Sequence, residues 1–224
     1  FEQQCFRAAI TLWLGAEFTK QTVSHFLRTV RCPLITTDIF LTTKNNEQSC
    51  LVKSYLIHAD LSRDDVKLLK SLEDEPRDYK RGETVIAQGE KQRQLYVVSK
   101  GWCFNYVHDS DGRRQILDIH MPGDIAGMRE VAHHNSISAL EAATDCTLCH
   151  FPRSRLNELF GSSAKLTGIF FLISMRREAI LMERVVNLGR RDAFQRICHY
   201  ISETQSRLSM INEEPIGRIR QPLT

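Results

Sequence analysis

The chain has 224 residues, enough for one or two domains. Its 42% hydrophobic and 25% charged residues are those of an ordinary globular protein, and a net charge of +3 is too mild to argue for nucleic acid by itself. No apolar stretch reaches the ~18 residues of a membrane span. The N-terminus has no signal-peptide pattern and begins with Phe1 rather than methionine. These features predict no membrane partner. The seven cysteines are irregularly spaced, which fits reduced thiols in a cytoplasm better than a disulfide framework.

In chain order, residues 4–30 carry a loose helical pattern that Pro33 breaks, and residues 42–49 read as a polar linker. Residues 1–50 are thus expected to be a helical or poorly ordered extension. Ser62 is a candidate helix N-cap, with Asp64 and Asp65 in the first turn and Val66, Leu68, Leu69 and Leu72 following. From about residue 77 the pattern changes to short strands at 84–87, 94–98, 103–108, 115–120 and 139–151. Turns at Gly82, Gly89, Gly101, Asp111-Gly112 and Pro122-Gly123-Asp124 punctuate them, as in an all-β sandwich or barrel. Asp-Gly at 111–112 predicts a hairpin.

A long apolar helix is expected over 166–188, stopping at Gly189 in a left-handed C-cap. A second helix opens with Asp192 in its first turn, where a carboxylate complements the helix dipole. Leu166, Ile173 and Ile180 recur every seven residues, with Phe170 a turn after the first. That stripe suits a partner helix or the chain's own β-structure equally well. Arg176, Arg177, Arg184, Arg190, Arg191 and Arg196 crowd this region, and a solvated face explains most of them.

Three further features bear on chemistry. Cys146-Thr147-Leu148-Cys149-His150 matches the c-type haem attachment pattern. In a strand, however, Cys146 and Cys149 point to opposite faces, which argues against haem and against a thioredoxin-like pair. His133-His134 lacks a third nearby ligand, so no metal site is expected. No nucleophile elbow, phosphate loop or metalloprotease helix is present, and nothing points to an enzyme.

The glycine punctuation at Gly82, Gly89-Glu90 and Gly101, then Gly112-Arg113-Arg114-Gln115-Ile116-Leu117 and Pro122-Gly123-Asp124, precedes the long helix and the segment 187–197. This order resembles the cyclic-AMP-receptor/fumarate-nitrate-regulator (Crp/Fnr) family of transcription regulators, over residues 52–224. The resemblance implies an α+β architecture. A cyclic-nucleotide-binding-like β-jelly-roll (51–160) leads to a dimerisation helix (161–189), then the first helix and strand of a truncated winged-helix domain (190–224). Leu166, Phe170, Ile173 and Ile180 become the implied homodimer seam. Asn187, Gly189, Arg190, Arg191 and Asp192 become the implied hinge.

The family's partners are double-stranded DNA, for the full-length form, and RNA polymerase. Residues 216–224 look like the entry to the winged helix without its recognition helix, so this chain is expected to dimerise without reading DNA specifically. The alternative is a stand-alone sensor or interaction module.

Members that bind cyclic nucleotides use a Gly-Glu pair for the ribose and an Arg-Ser pair for the phosphate. Here those positions read Gly127-Met128 and Ser136-Ile137, and the helix positions facing the purine read Leu181 and Met182. Arg129 and Glu130 adjoin the first pair, but the arginine is misplaced for a phosphate. Met128, Arg129, Glu130, Ser136, Ile137, Leu181 and Met182 are therefore candidate pocket residues for an unidentified effector, and cyclic AMP is not expected to bind. Cys5, Cys32 and Cys50 are too widely spaced for the family's iron–sulfur cluster.

Overall fold

The computed structural model describes residues 49–211. The expected N-terminal helix, most of the 42–49 linker and the winged-helix entry at 216–224 lie outside the described residues.

Two short helices come first. Helix α1 (Cys50–Leu56) starts where Ser49 Oγ accepts from the Val52 amide at 3.2 Å. Helix α2 (Arg63–Lys70) opens on the expected cap, where Ser62 Oγ accepts from the Asp65 amide and the Asp65 carboxylate accepts from the Ser62 amide. This reciprocal box satisfies two amides that would otherwise lack partners. Asp65 also accepts from Ser163 Oγ at 2.6 Å, and these hydrogen bonds, Ser163 first, hold its carboxyl below the usual carboxylate range.

Eight strands then build two four-stranded antiparallel sheets. Strands β1 (Pro76–Tyr79), β3 (Gln94–Lys100), β6 (Ile125–Ala126) and β8 (Cys146–Pro152) form one, in the order β1-β8-β3-β6. Strands β2 (Thr84–Ile86), β4 (Cys103–His108), β5 (Arg114–His120) and β7 (Ala139–Ala142) form the other, in the order β2-β7-β4-β5. Ile86, Tyr96, Val98, Cys103, Leu140 and Leu148 pack between the sheets. Full burial of such side chains stabilises by about 1.5–3 kcal/mol each. The Asp111-Gly112 hairpin joins β4 to β5, with Gly112 at φ 76°.

The expected strand at 139–151 is two strands, β7 and β8, in different sheets. The chain crosses between them at 143–145, and Gly101 makes room there. Its φ is +72°, and a Cβ would lie 2.3 Å from the Asp145 carbonyl oxygen. Strands β1 and β6 escaped the pattern reading because β1 is mostly exposed, without apolar alternation, and β6 is two residues long.

Helix α3 (Ser154–Ser162), also not anticipated, follows β8, and then come α4 (Ala164–Arg190) and α5 (Ala193–Ile211). The described residues fall into two compact units, 49–170 and 171–211, with the division inside α4. No helix among the described residues is long and apolar enough to cross a membrane.

Candidate functional site

The core side of the β4–β5 ribbon changes character along its length. Cys103 packs in the apolar core, and the register places His120 opposite Cys103 and Asp118 opposite Asn105, all on the same face. Asn105, Asp118 and His120 are nonetheless buried. Buried polar groups need partners, and a 3₁₀ turn at Arg129–Ala132, with the loop behind it, supplies them.

Asn105 Nδ2 donates to Ser138 Oγ at 3.0 Å and to the Ala139 carbonyl at 3.2 Å. Ser138 Oγ in turn donates to Glu130 Oε1 at 2.8 Å. Asn105 Oδ1 is left to accept from His120 Nε2 at 2.6 Å, which assigns the proton to that nitrogen. The result is a relay of one polarity, His120 to Asn105 to Ser138 to Glu130, whose members are all at most 4% exposed. Ser136 Oγ donates to the Ser138 carbonyl at 2.6 Å, bracing the loop. Beside the relay Arg129 pairs with Asp118. Arg153 closes the turn from outside, donating to the carbonyls of Glu130, Val131 and His133 at 2.7–3.0 Å.

Around the turn, then, Arg129 is paired with Asp118, Glu130 accepts from Ser138, and the Arg153 guanidinium is engaged by three backbone carbonyls, so a phosphate there would compete with existing partners.

Of the candidate pocket residues, Arg129, Glu130 and Ser136 come together in this network. Met128 is half-buried at the head of the turn, and Ile137 is 43% exposed on the loop. Leu181 and Met182 lie on α4 in the other unit. Sequence reasoning missed Asn105, Asp118, His120, Ser138 and Arg153. The available signal was Asp118 and His120, two polar residues at successive same-face positions of a strand.

Cys146 and Cys149 do lie on opposite faces of β8. Cys146 packs in the apolar core, while Cys149, three residues on, turns to the other side. Burial pushes both thiols up to about 11. His150 is a satisfied core histidine: its Nε2 is 2.8 Å from Tyr79 Oη, its Nδ1 is 2.9 Å from Gln94 Oε1, and Tyr79 stacks on its ring. Burial, then the Arg77 charge, pushes it down to about 4. Among the described residues no group of three or more His, Cys, Asp or Glu is placed to hold a metal.

The expected dimer stripe needs correction. Leu166 is wholly buried within the chain, so it has no surface for a partner. Phe170 packs edge-on against Phe160 at 5.0 Å, and Ile173 and Ile180 are half-buried. The exposed apolar row of α4 is different: Leu172, Met175, Met182 and Val186, with half-buried Ala179 between. Its steps alternate between three and four residues, the spacing that coiled-coil seams use.

The hinge also differs from expectation. Gly189 remains inside α4 without a positive φ, so it is not a left-handed cap. The break comes two residues later. Asp192 Oδ1 accepts from the Gln195 amide at 2.8 Å, and Gln195 Oε1 accepts from the Asp192 amide at 3.2 Å. This is a reciprocal cap for α5, which the sequence Asp-x-x-Gln announces. Asn187 is buried and accepts from Arg191, which also reaches Glu183 Oε2 at 3.2 Å, while Arg190 is exposed.

Comparison with known proteins agrees with this geometry. Residues 76–163 match the cyclic nucleotide-binding domain family. The chain is 32% identical to the nitrogen fixation regulation protein FixK of Rhizobium meliloti over 123 residues, covering 55% of this chain and 54% of that protein. It is 21% identical to the fumarate and nitrate reduction regulatory protein of Vibrio cholerae, covering 75% of this chain and 67% of that protein. The chain thus spans about half the length of FixK. FixK2 from Bradyrhizobium japonicum superposes with a TM-score of 0.57 at 25% identity, over 66% of this chain and 72% of that one. Residues 76–163 thus match a cyclic nucleotide-binding domain, and the chain is similar in sequence to Crp/Fnr-type regulators and in fold to FixK2.

Proposed function

We propose that this protein is a transcription regulator of the Crp/Fnr type that works in the cytoplasm as a homodimer and has no enzymatic role. Double-stranded DNA is its target, and RNA polymerase is a further partner. The observation that carries this reading is the exposed seam Leu172, Met175, Ala179, Met182 and Val186, followed directly by the capped turn into α5. An exposed apolar row at coiled-coil spacing suits a second copy of the same helix. A dimer axis along α4 would place the two α5 helices symmetrically, as two-fold DNA half-sites require.

The effector is not cyclic AMP. Glu130 and Asp118 place carboxylates inside the roll, Arg129 is spent on Asp118, and Arg153 is engaged by backbone carbonyls. An iron–sulfur cluster and haem are likewise not part of this reading. Cys5 and Cys32 lie outside the described residues, while the Cys146 and Cys149 thiols face opposite ways.

Sedimentation of the wild-type chain and of Met182→Asp tests the proposal. Met182 is 60% exposed, so aspartate there leaves the monomer fold intact but puts charge into the seam. A wild-type dimer and a folded mutant monomer are expected. A wild-type monomer at micromolar concentration refutes it.

A further inference from the structure

Around the turn between α4 and α5, half-buried charges are arranged as two bridges. Arg191 reaches back two turns along α4, one guanidinium nitrogen donating to Asn187 Oδ1 and another to Glu183 Oε2 at 3.2 Å. The same carboxylate oxygen faces His199 Nε2 of α5 at 3.6 Å, and that buried nitrogen has no hydrogen-bond partner among the described residues. Farther along α5, Glu203 Oε1 accepts from Arg184 of α4 at 2.8 Å and lies 3.5 Å from Arg207. Arg191 also fixes the start of α5 through its backbone, since Arg196 Nε donates to the Arg191 carbonyl at 3.0 Å.

Such an arrangement has one energetic feature that matters. The side chains of Glu183, Arg191, Arg184 and Glu203 are 12–25% exposed, so each is poorly hydrated and depends on its partner. Removing one member leaves the other as a half-buried unpaired charge, whereas removing both does not. An exposed arginine would instead be free to meet a phosphate, as Arg190 is.

We propose that Arg191 is an intramolecular latch rather than a DNA contact. Its fork to Glu183 and Asn187 holds the α4–α5 turn in one geometry, with Glu203–Arg184 as the second bolt. A signal that withdraws Glu183 from Arg191 releases the turn. The regulatory meaning of the latch rests on the function proposed above, but its existence does not.

Amide hydrogen exchange on the 224-residue chain reads the latch without DNA or any partner, so a failed latch and a failed regulator reading are told apart. Arg191→Met is expected to speed exchange of amides 191–199 about tenfold or more, with amides 94–152 unchanged, since local opening is measured region by region. Arg191→Lys, which keeps the charge but not the fork, should fall between. The double variant Glu183→Met/Arg191→Met should exchange more slowly than Arg191→Met alone. In the wild-type chain, raising the salt from about 0.01 M to 1 M shortens the Debye length from about 30 Å to 3 Å and should loosen these amides selectively. Exchange of 191–199 that stays within about twofold of wild type in Arg191→Met, or additive effects in the double variant, overturns the proposal.

Discussion

Ser138→Ala tests the interior relay most directly. Ser138 Oγ donates to the Glu130 carboxylate at 2.8 Å and accepts from Asn105 Nδ2 at 3.0 Å, and the residue is 1% exposed. A hydrogen bond to a charged group contributes about 1.5–3 kcal/mol and a neutral one about 1 kcal/mol. Asn105 Nδ2 keeps the Ala139 carbonyl as a second acceptor, so little is lost on that side. The main cost is the carboxylate left buried, and the sum is about 2–4 kcal/mol. That is a large part of the 5–15 kcal/mol typical of a domain. Urea unfolding followed by fluorescence measures it, with Ser136→Ala as the comparison. Ser136 Oγ serves only a backbone carbonyl, so its removal should cost about 1 kcal/mol. The identity of the sensitive partner is read from a cycle with Glu130→Gln: once the carboxylate is neutral, the second loss should be smaller. A Ser138→Ala cost below about 0.5 kcal/mol, or one unchanged by Glu130→Gln, would refute the relay.

Two more outcomes follow from the β-roll. The folded His150 is pushed down to about 4 from its ordinary 6.5, so below pH 6.5 the unfolded chain takes up the proton first. Its stabilising effect is present above 6.5 and is lost as pH falls to about 4, by about 3 kcal/mol at 1.36 kcal/mol per unit. Wild-type and His150→Gln unfolding at pH 7.5 and 5 should therefore diverge, and parallel pH dependences would sink the assignment. At Gly101, alanine meets both a positive φ and the Asp145 carbonyl, so Gly101→Ala should cost at least about 2 kcal/mol. Thermal unfolding measures this, and a variant as stable as wild type would show that the 143–145 crossing yields easily.

Much of the architecture was legible in sequence because it rests on local rules. The strand–turn alternation, the Asp-Gly hairpin, the Ser62 cap and the long apolar helix each need only neighbouring residues to be recognised. The opposite facing of Cys146 and Cys149 follows from strand geometry alone. Tertiary structure decided what local rules leave open. Heptad spacing shows that α4 has an apolar stripe but not which stripe is covered, because burial depends on distant chain. Hence Leu166 is core, and an exposed apolar row runs through Leu172 and Met182. Gly189 looked like a helix stop, yet helix α4 continues to Arg190 and the reciprocal Asp192–Gln195 cap opens α5 just beyond. The pocket residues read from family positions include Arg129, Glu130 and Ser136 of the buried network but not the strand residues that complete it. Asn105, His120, Glu130 and Ser138 are spread over 34 positions of sequence, and only the pairing of β4 with β5 and the fold of the turn at 129–132 bring them into one hydrogen-bonded line.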